Sequence, residues 1–255
     1  MNKFTYIRQR YEGNIGLITF NRPEKHNAFD EQFIAELKQA LQQANHEETC
    51  QVIIINAEGT NFCAGADLNW MKRMSGFTRE ENEADAIAFA DLLQLINHLS
   101  KPNIALVQGN IIGGGIGLIA CCDVVIASTD TKFSFSEVRL GLTPATIAPY
   151  IIRAIGYSAT RRYFLTAEFF NALEAQKLGL LHHVVNQNEL LTTGKNLAKL
   201  ITQNSPQALS HVKQLLNNLY PINGTVVSQT AALLATVRSS KEAQDRIQIF
   251  LKNKV

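Results

Sequence analysis

Cysteine is scarce in this 255-residue chain, and its four copies have no spacing that suits a metal or a redox pair. Cys50, Cys63, Cys121 and Cys122 include no Cys-x-x-Cys and no histidine at ligand distance, so no metal is expected. The adjacent pair sits in an apolar run, where free thiols act as small hydrophobes, and a reduced cytoplasmic chain is expected. An excess of one charge sign is also missing. Twenty-four Lys and Arg against 22 Asp and Glu leave +2, too little for a general nucleic-acid surface. There is no long hydrophobic run: the longest, residues 111–120, is glycine-rich and too short to span a bilayer. Residues 1–10 alternate polar and apolar side chains and contain no signal-peptide core. No Gly-x-Gly-x-x-Gly can be placed, since Leu118 stands in the last position counted from Gly113, and no Gly-Lys-Ser/Thr occurs. His26, His46, His98, His182, His183 and His211 form no triad with a nucleophile. The expectation is a soluble protein with no membrane or nucleic-acid partner.

What is present is a pattern of short apolar strands separated by helices. Phe4, Tyr6 and Arg8, then Ile15, Leu17 and Thr19, read as two strands joined at Glu12-Gly13-Asn14. Asp30 suits the N-cap of a helix carrying Phe33, Ile34, Leu37, Ala40 and Leu41 at helical spacing. Residues 52–56, 104–107 and 124–127 are nearly continuous apolar strands, as strands buried on both faces are. Helical patterns cover residues 67–74, 80–99 and 114–120. Beyond about residue 140 helices dominate, over 147–155, 172–178, 206–219 and 226–250. Ser205 and Pro206 mark the start of the third of these. An α/β body to about residue 200 and a helical region over 201–255 are expected. The last 55 residues carry Lys213, Arg238, Lys241, Arg246, Lys252 and Lys254 against Glu242 and Asp245; solvated helix faces account for this without a ligand.

Two glycine-bearing loops each lead from a strand into a helix: Asn61-Phe62-Cys63-Ala64-Gly65-Ala66-Asp67-Leu68 and Gly109-Asn110-Ile111-Ile112-Gly113-Gly114-Gly115-Ile116-Gly117. Either could be an ordinary tight turn. A helix start nevertheless offers unpaired N–H groups and a positive dipole end, and two that converge could stabilise a developing oxyanion.

These segments, with Asn21-Arg22-Pro23-Glu24-Lys25-His26-Asn27-Ala28 and Ser136-Glu137-Val138-Arg139-Leu140-Gly141-Leu142-Thr143-Pro144, resemble the crotonase (enoyl-CoA hydratase/isomerase) signatures in family order. Arg153-Ala154-Ile155-Gly156 and Asn204-Ser205-Pro206-Gln207-Ala208 extend the match, so that it covers nearly the whole chain. Within the family, Gly65-Ala66-Asp67-Leu68-Asn69-Trp70-Met71, Cys121-Cys122-Asp123 and the stretch from Ala159 to Glu168 resemble the bacterial methylglutaconyl-CoA hydratase branch. The resemblance implies an α/β spiral of strand-strand-helix repeats with a C-terminal helical trimerisation region. It implies a homotrimer or dimer of trimers acting on an acyl-CoA thioester, with coenzyme A arriving as part of the substrate and no permanent cofactor.

The resemblance also assigns roles. The N–H groups of Ala66 and Gly114 match the family's oxyanion hole, and Glu137 matches one of its two catalytic glutamates. Lys25, Ala28, Ala64, Asp67, Leu68, Met71, Phe250 and Lys254 fall where the family contacts coenzyme A or the acyl chain, some across a subunit boundary. A carboxylate among Phe133, Phe135, Val138 and Leu140 should have a raised pKa, suited to proton transfer near neutrality. Asp67 and Asp123 read as structural, since Asp67 suits a helix N-terminus and Asp123 starts a strand. Lys72 and Arg73, on the helix after the first loop, could pair with a substrate carboxylate. Gly117 stands where two-glutamate hydratases carry their other acid/base. A side chain added to a packed pocket commonly costs about 1–3 kcal/mol; a glycine in a first helical turn is otherwise expected to accept one, because helix propensity favours the change. The expected activity is hydration of a branched 2-enoyl-CoA. The alternatives are Δ3-Δ2 isomerisation by a single glutamate or acyl-CoA binding without catalysis.

Overall fold

The computed structural model describes residues 4–253; Lys254 lies outside them. The chain opens with an antiparallel pair, β1 (Ile7–Glu12) and β2 (Ile15–Phe20), followed by α1 (Glu31–His46) and β3 (Val52–Ala57). Next come α2 (Leu68–Met74), α3 (Arg79–His98), β4 (Asn103–Val107), β5 (Asn110–Ile112) and α4 (Gly114–Ala120). β6 (Val124–Ser128), β7 (Lys132–Ser134), α5 (Ala148–Thr166), β8 (Phe170–Asn171), α6 (Ala172–Lys177) and β9 (His183–Val185) complete the strand-bearing part. Four helices follow: α7 (Leu190–Ile201), α8 (Pro206–Leu219), α9 (Gly224–Arg238) and α10 (Lys241–Lys252).

Six strands form one sheet in the order β1-β2-β3-β4-β6-β9, parallel from β2 onward, and β5-β7-β8 form a second. Strand pairs split between the two sheets: β4 feeds the large sheet and β5 the small one, then β6 and β7 repeat the step. This is the strand-strand-helix spiral that the sequence motifs imply. Ile18, Ile53, Ile55, Ala105, Val107 and Val125 face the main core. Leu17, Ile54, Ile104, Leu106 and Ile126 alternate with them toward α7, through Leu190 and Ala198. Burial on both faces is therefore met, as the continuous apolar strands require. The helix that covers the second face, α7, is absent from the sequence-based expectation.

Two expected elements change. The first strand begins at Ile7, with Tyr6 and Phe4 preceding it. The helical pattern over 226–250 is two helices, because Ser239 closes α9 and the Ser240 side chain caps α10 by accepting from the Ala243 N–H. Helix starts elsewhere follow the expected caps. Asp30 accepts from the Phe33 N–H and Ser205 from the Ala208 N–H.

A buried cluster ties the early loops together. Arg22 pairs with Asp30 and with Asp67, each at 3.0 Å, and donates to the Ala28 carbonyl at 2.9 Å. Its guanidinium lies 4.5 Å from the Tyr6 ring centroid. Both acids are helix caps, of α1 and α2, so one cation joins two helix starts. Asn27 completes the cluster: it accepts from the Arg22 N–H and donates to the Glu58 and Asn61 carbonyls. Removing one member of such a buried set strands charge in a low dielectric. Arg22→Met should therefore lower unfolding free energy by about 3–5 kcal/mol in a denaturant titration. Arg8→Met, whose partner Glu58 is exposed, should cost less than about 1 kcal/mol. Similar losses for the two variants would refute the clamp.

Candidate active site

Three neighbouring chain segments assemble the site by backbone register. Cys63 bridges Ile111, with the Ile112 N–H donating to the Cys63 carbonyl at 3.1 Å, so the loop over residues 61–67 runs beside β5. β5 in turn pairs with β7, placing Ile112 opposite Ser134, and the Gly113 N–H donates to the Ser134 carbonyl. Two or three residues beyond these pairings the three segments present Ala66, Gly114 and Glu137. All three line one cavity of about 1110 Å³.

The N–H groups at this junction are unspent. Phe29 bridges Ala66 by taking the Asp67 N–H and donating to the Gly65 carbonyl, which leaves the Ala66 N–H directed away from that pairing. Gly114 opens α4, where no preceding turn supplies an acceptor. Among the described residues neither N–H has an acceptor. Gly113 has φ +52° and Gly65 φ +91°, values that a side chain would strain. A Cβ at Gly113 would also lie 2.7 Å from Glu137 Oε1, so this glycine lets the carboxylate approach the start of α4.

Glu137 begins a short 3₁₀ turn, Glu137–Leu140, closed by Gly141 and anchored by the Arg139 guanidinium on the Ala167 carbonyl at 2.6 Å. Its Oε2 is buried and makes no hydrogen bond. Burial pushes the carboxyl up from 4.5 to about 7, against a smaller opposing effect of its own backbone N–H. This is the raised value that its apolar neighbours lead one to expect.

The remaining candidates divide by position. Lys25, Ala28, Ala64, Asp67, Leu68, Met71 and Phe250 all line the cavity. Phe250 does so within its own chain, through α10. Asp67 lines it only as structure, since its carboxylate caps α2 by accepting from Asn69 and Trp70 and pairs with Arg22. Asp123 is likewise structural: it accepts from the Asn103 N–H and binds Lys213 of α8. Arg73 is not among the residues that line the cavity; it pairs with Glu31 at 2.5 Å on the surface. Lys72 stays exposed at the cavity rim. Among the described residues no group of three or more His, Cys, Asp or Glu could hold a metal, and no helix is long and apolar enough to cross a membrane.

Sequence reasoning passed over the far wall of the cavity. Asp85 of α3 and Arg238 of α9 pair there at 2.6 Å, beside Trp70, Phe89 and Leu234. Burial raises the Asp85 carboxyl, and Arg238 and the Trp70 indole N–H pull it back. An acid and a base more than 150 positions apart carry no local signal.

The model of the enoyl-CoA hydratase/isomerase family matches residues 10–254. The chain is 30% identical over 246 residues to the short-chain-enoyl-CoA hydratase of Clostridium acetobutylicum, covering 95% of this chain and 93% of that protein. It is 34% identical over 199 residues to a mevalonyl-coenzyme A hydratase of Aspergillus fumigatus, covering 77% and 72%. The crystal structure of an enoyl-CoA hydratase from Shewanella pealeana superposes with a TM-score of 0.84 at 39% identity, covering 98% and 95%. The chain belongs to the enoyl-CoA hydratase/isomerase family, an enzyme family of the crotonase superfamily.

Gly117 corrects one expectation. It is not an open position: a Cβ there would lie 2.2 Å from Ile147 Cγ2 and 2.8 Å from Ile147 Cβ. Helix propensity is overridden by packing, because α5 approaches α4 at this residue. Gly117→Glu should therefore lower the melting temperature and should not create a second working carboxylate. Differential scanning fluorimetry beside a hydration assay checks this, and a stable variant with faster crotonyl-CoA hydration would overturn it.

Proposed function

We propose that the protein adds water to a branched, carboxylated 2-enoyl-CoA, with Glu137 as the single proton carrier. The observation that carries this reading is the buried, unpartnered Glu137 carboxylate beside the start of α4. The thioester oxygen would accept from the Ala66 and Gly114 N–H groups. Water oxygen then bonds to C3 while its proton passes to Glu137, and the C2=C3 electrons move onto the thioester as an enolate. Glu137 returns that proton to C2 as the enolate collapses, giving a 3-hydroxyacyl-CoA. Preorganised N–H donors act where charge develops, which is the largest lever such a site has. The Clostridium and Aspergillus relatives, named for hydration of CoA thioesters, support water addition, and the motif resemblance supports a methylglutaconyl-like acyl group.

One observation favours a second reading. With Ile147 packed on Gly117, that position has no room for a second acid/base side chain. A lone Glu137 could equally take a proton from C2 of a 3-enoyl-CoA and return it to C4, shifting the double bond without water. A binding protein without catalysis is disfavoured by the poised carboxylate.

Lys25, Ala28, Ala64 and Leu68 would hold the coenzyme A part, with Phe250 closing over it. No permanent cofactor is needed for either reaction. Four free cysteines suit a reducing, cytoplasmic setting. Residues 1–200 would carry the spiral, and residues 201–255 would serve oligomerisation. Val212, Leu215, Leu216 and Leu219 leave an exposed apolar stripe at helical spacing on α8, which supports a trimer or dimer of trimers. Light scattering should give three or six times the 28.3 kDa chain mass, and a monomer at micromolar concentration would exclude it.

Glu137→Gln keeps the shape of the side chain but cannot accept a proton. Its kcat should fall about 10²–10⁴-fold with thioester affinity retained. In the parent, kcat/KM should rise with pH through about 7, since the carboxylate is the base. The folded value is raised above the unfolded one, so the ionised carboxyl destabilises the fold above about pH 7 and not below about pH 4.5. The Gln variant should consequently gain up to about 3 kcal/mol over the parent across that window. Equal loss of binding and rate would show that Glu137 is structural. Assaying a carboxylated branched 2-enoyl-CoA, crotonyl-CoA and a 3-enoyl-CoA in parallel separates the two reactions.

A further inference from the structure

The far wall of the cavity holds a cation whose hydrogen-bonding capacity is only partly used. Arg238 ends α9, is 9% exposed, and donates from Nη1 to Asp85 Oδ2 at 2.6 Å. Its Nε is buried and has no acceptor, and no other hydrogen bond of its guanidinium occurs among the described residues. A guanidinium has five N–H donors, and a buried one left open is costly. Trp70, Phe89, Leu234 and Ile247 line the same cavity.

The position relative to the reacting end is fixed by α3. Phe89 stands close to Gly114, since a Cβ on that glycine would lie 2.9 Å from Phe89 Cζ. Asp85 is four residues earlier on the same helix, about 6 Å along its axis. Arg238, which pairs with Asp85, therefore lies roughly one helical turn along α3 from the thioester end, within the reach of a short acyl chain.

We propose that Arg238 is the specificity residue for the far end of the acyl group, where it takes a terminal carboxylate of a short dicarboxylic acyl-CoA. The assignment rests on the acyl-CoA reading above. Asp85 takes one of the guanidinium's N–H donors, which leaves others for a planar, two-oxygen acceptor. An acyl chain ending in a methyl group leaves those donors unpaired and is selected against. Arg73, the earlier candidate on α2, does not line the cavity.

The test is equilibrium binding, which needs no turnover. Glutaryl-CoA and valeryl-CoA have acyl chains of equal carbon number and differ at the far end, and their affinities are compared by calorimetry on the intact protein. The parent should bind glutaryl-CoA at least ten-fold more tightly. Arg238→Met should bring the ratio to about one, and Asp85→Asn should raise it, because the competing anion is gone. A purely structural ion pair would not move the ratio in opposite directions. Where Arg238→Met fails to fold, Asp85→Asn/Arg238→Met removes both charges together and should also give a ratio near one. A parent ratio at or below one, with valeryl-CoA bound, overturns this assignment alone. A ratio that survives in a folded variant lacking Arg238 also overturns it. Failure of both thioesters to bind overturns it together with the acyl-CoA reading.

Discussion

The arginine at position 22 holds the first half of the site in place. Its guanidinium joins the caps of α1 and α2 and the Ala28 carbonyl, and those caps bracket the loop that presents Ala66. A backbone N–H can act as a fixed dipole only if the chain around it cannot relax. Here Asp67 is fixed twice, by its own cap and by Arg22, and Phe29 is hydrogen-bonded to both neighbours of Ala66. The same buried ions are a poor source of net stability, because desolvation offsets most of their attraction. Their contribution is geometric.

Glu137 is placed by a different device. β7 carries it alongside β5, and Gly113 lets it come close to the helix that bears the second N–H. Its surroundings raise the carboxyl to about 7, because burial outweighs the stabilisation its own backbone N–H offers the charge. A group poised this way exchanges protons in both directions at little cost. The packing of Ile147 on Gly117 removes the room for a side chain, and so for a second carboxylate, at that position.

The C-terminal helices do more than extend the body. α9 packs along α3 and brings Arg238 to the far wall of the cavity, and α10 brings Phe250 to its rim. The cavity is therefore lined by the Asp85–Arg238 ion pair, by a carboxylate beside two open N–H groups, and by Lys25.

The motifs and the apolar strand pattern are enough to read the spiral and the two glycine loops, because each depends on residues within a few positions of one another. Caps at Asp30, Asp67 and Ser205 were legible for the same reason. Helix α7 was not, since its role is to cover a sheet face that only the fold defines. The break at Ser239 was hidden inside one continuous helical periodicity. Arg22 was visible in its motif, but its partners Asp30 and Asp67 lie apart in the chain. The Asp85–Arg238 pair and the Gly117–Ile147 contact arise from helices that meet only in the folded molecule. Local sequence determined which groups the protein has and where chain direction changes. Tertiary structure decided which of those groups face a common cavity, because burial and pairing depend on neighbours distant in the chain.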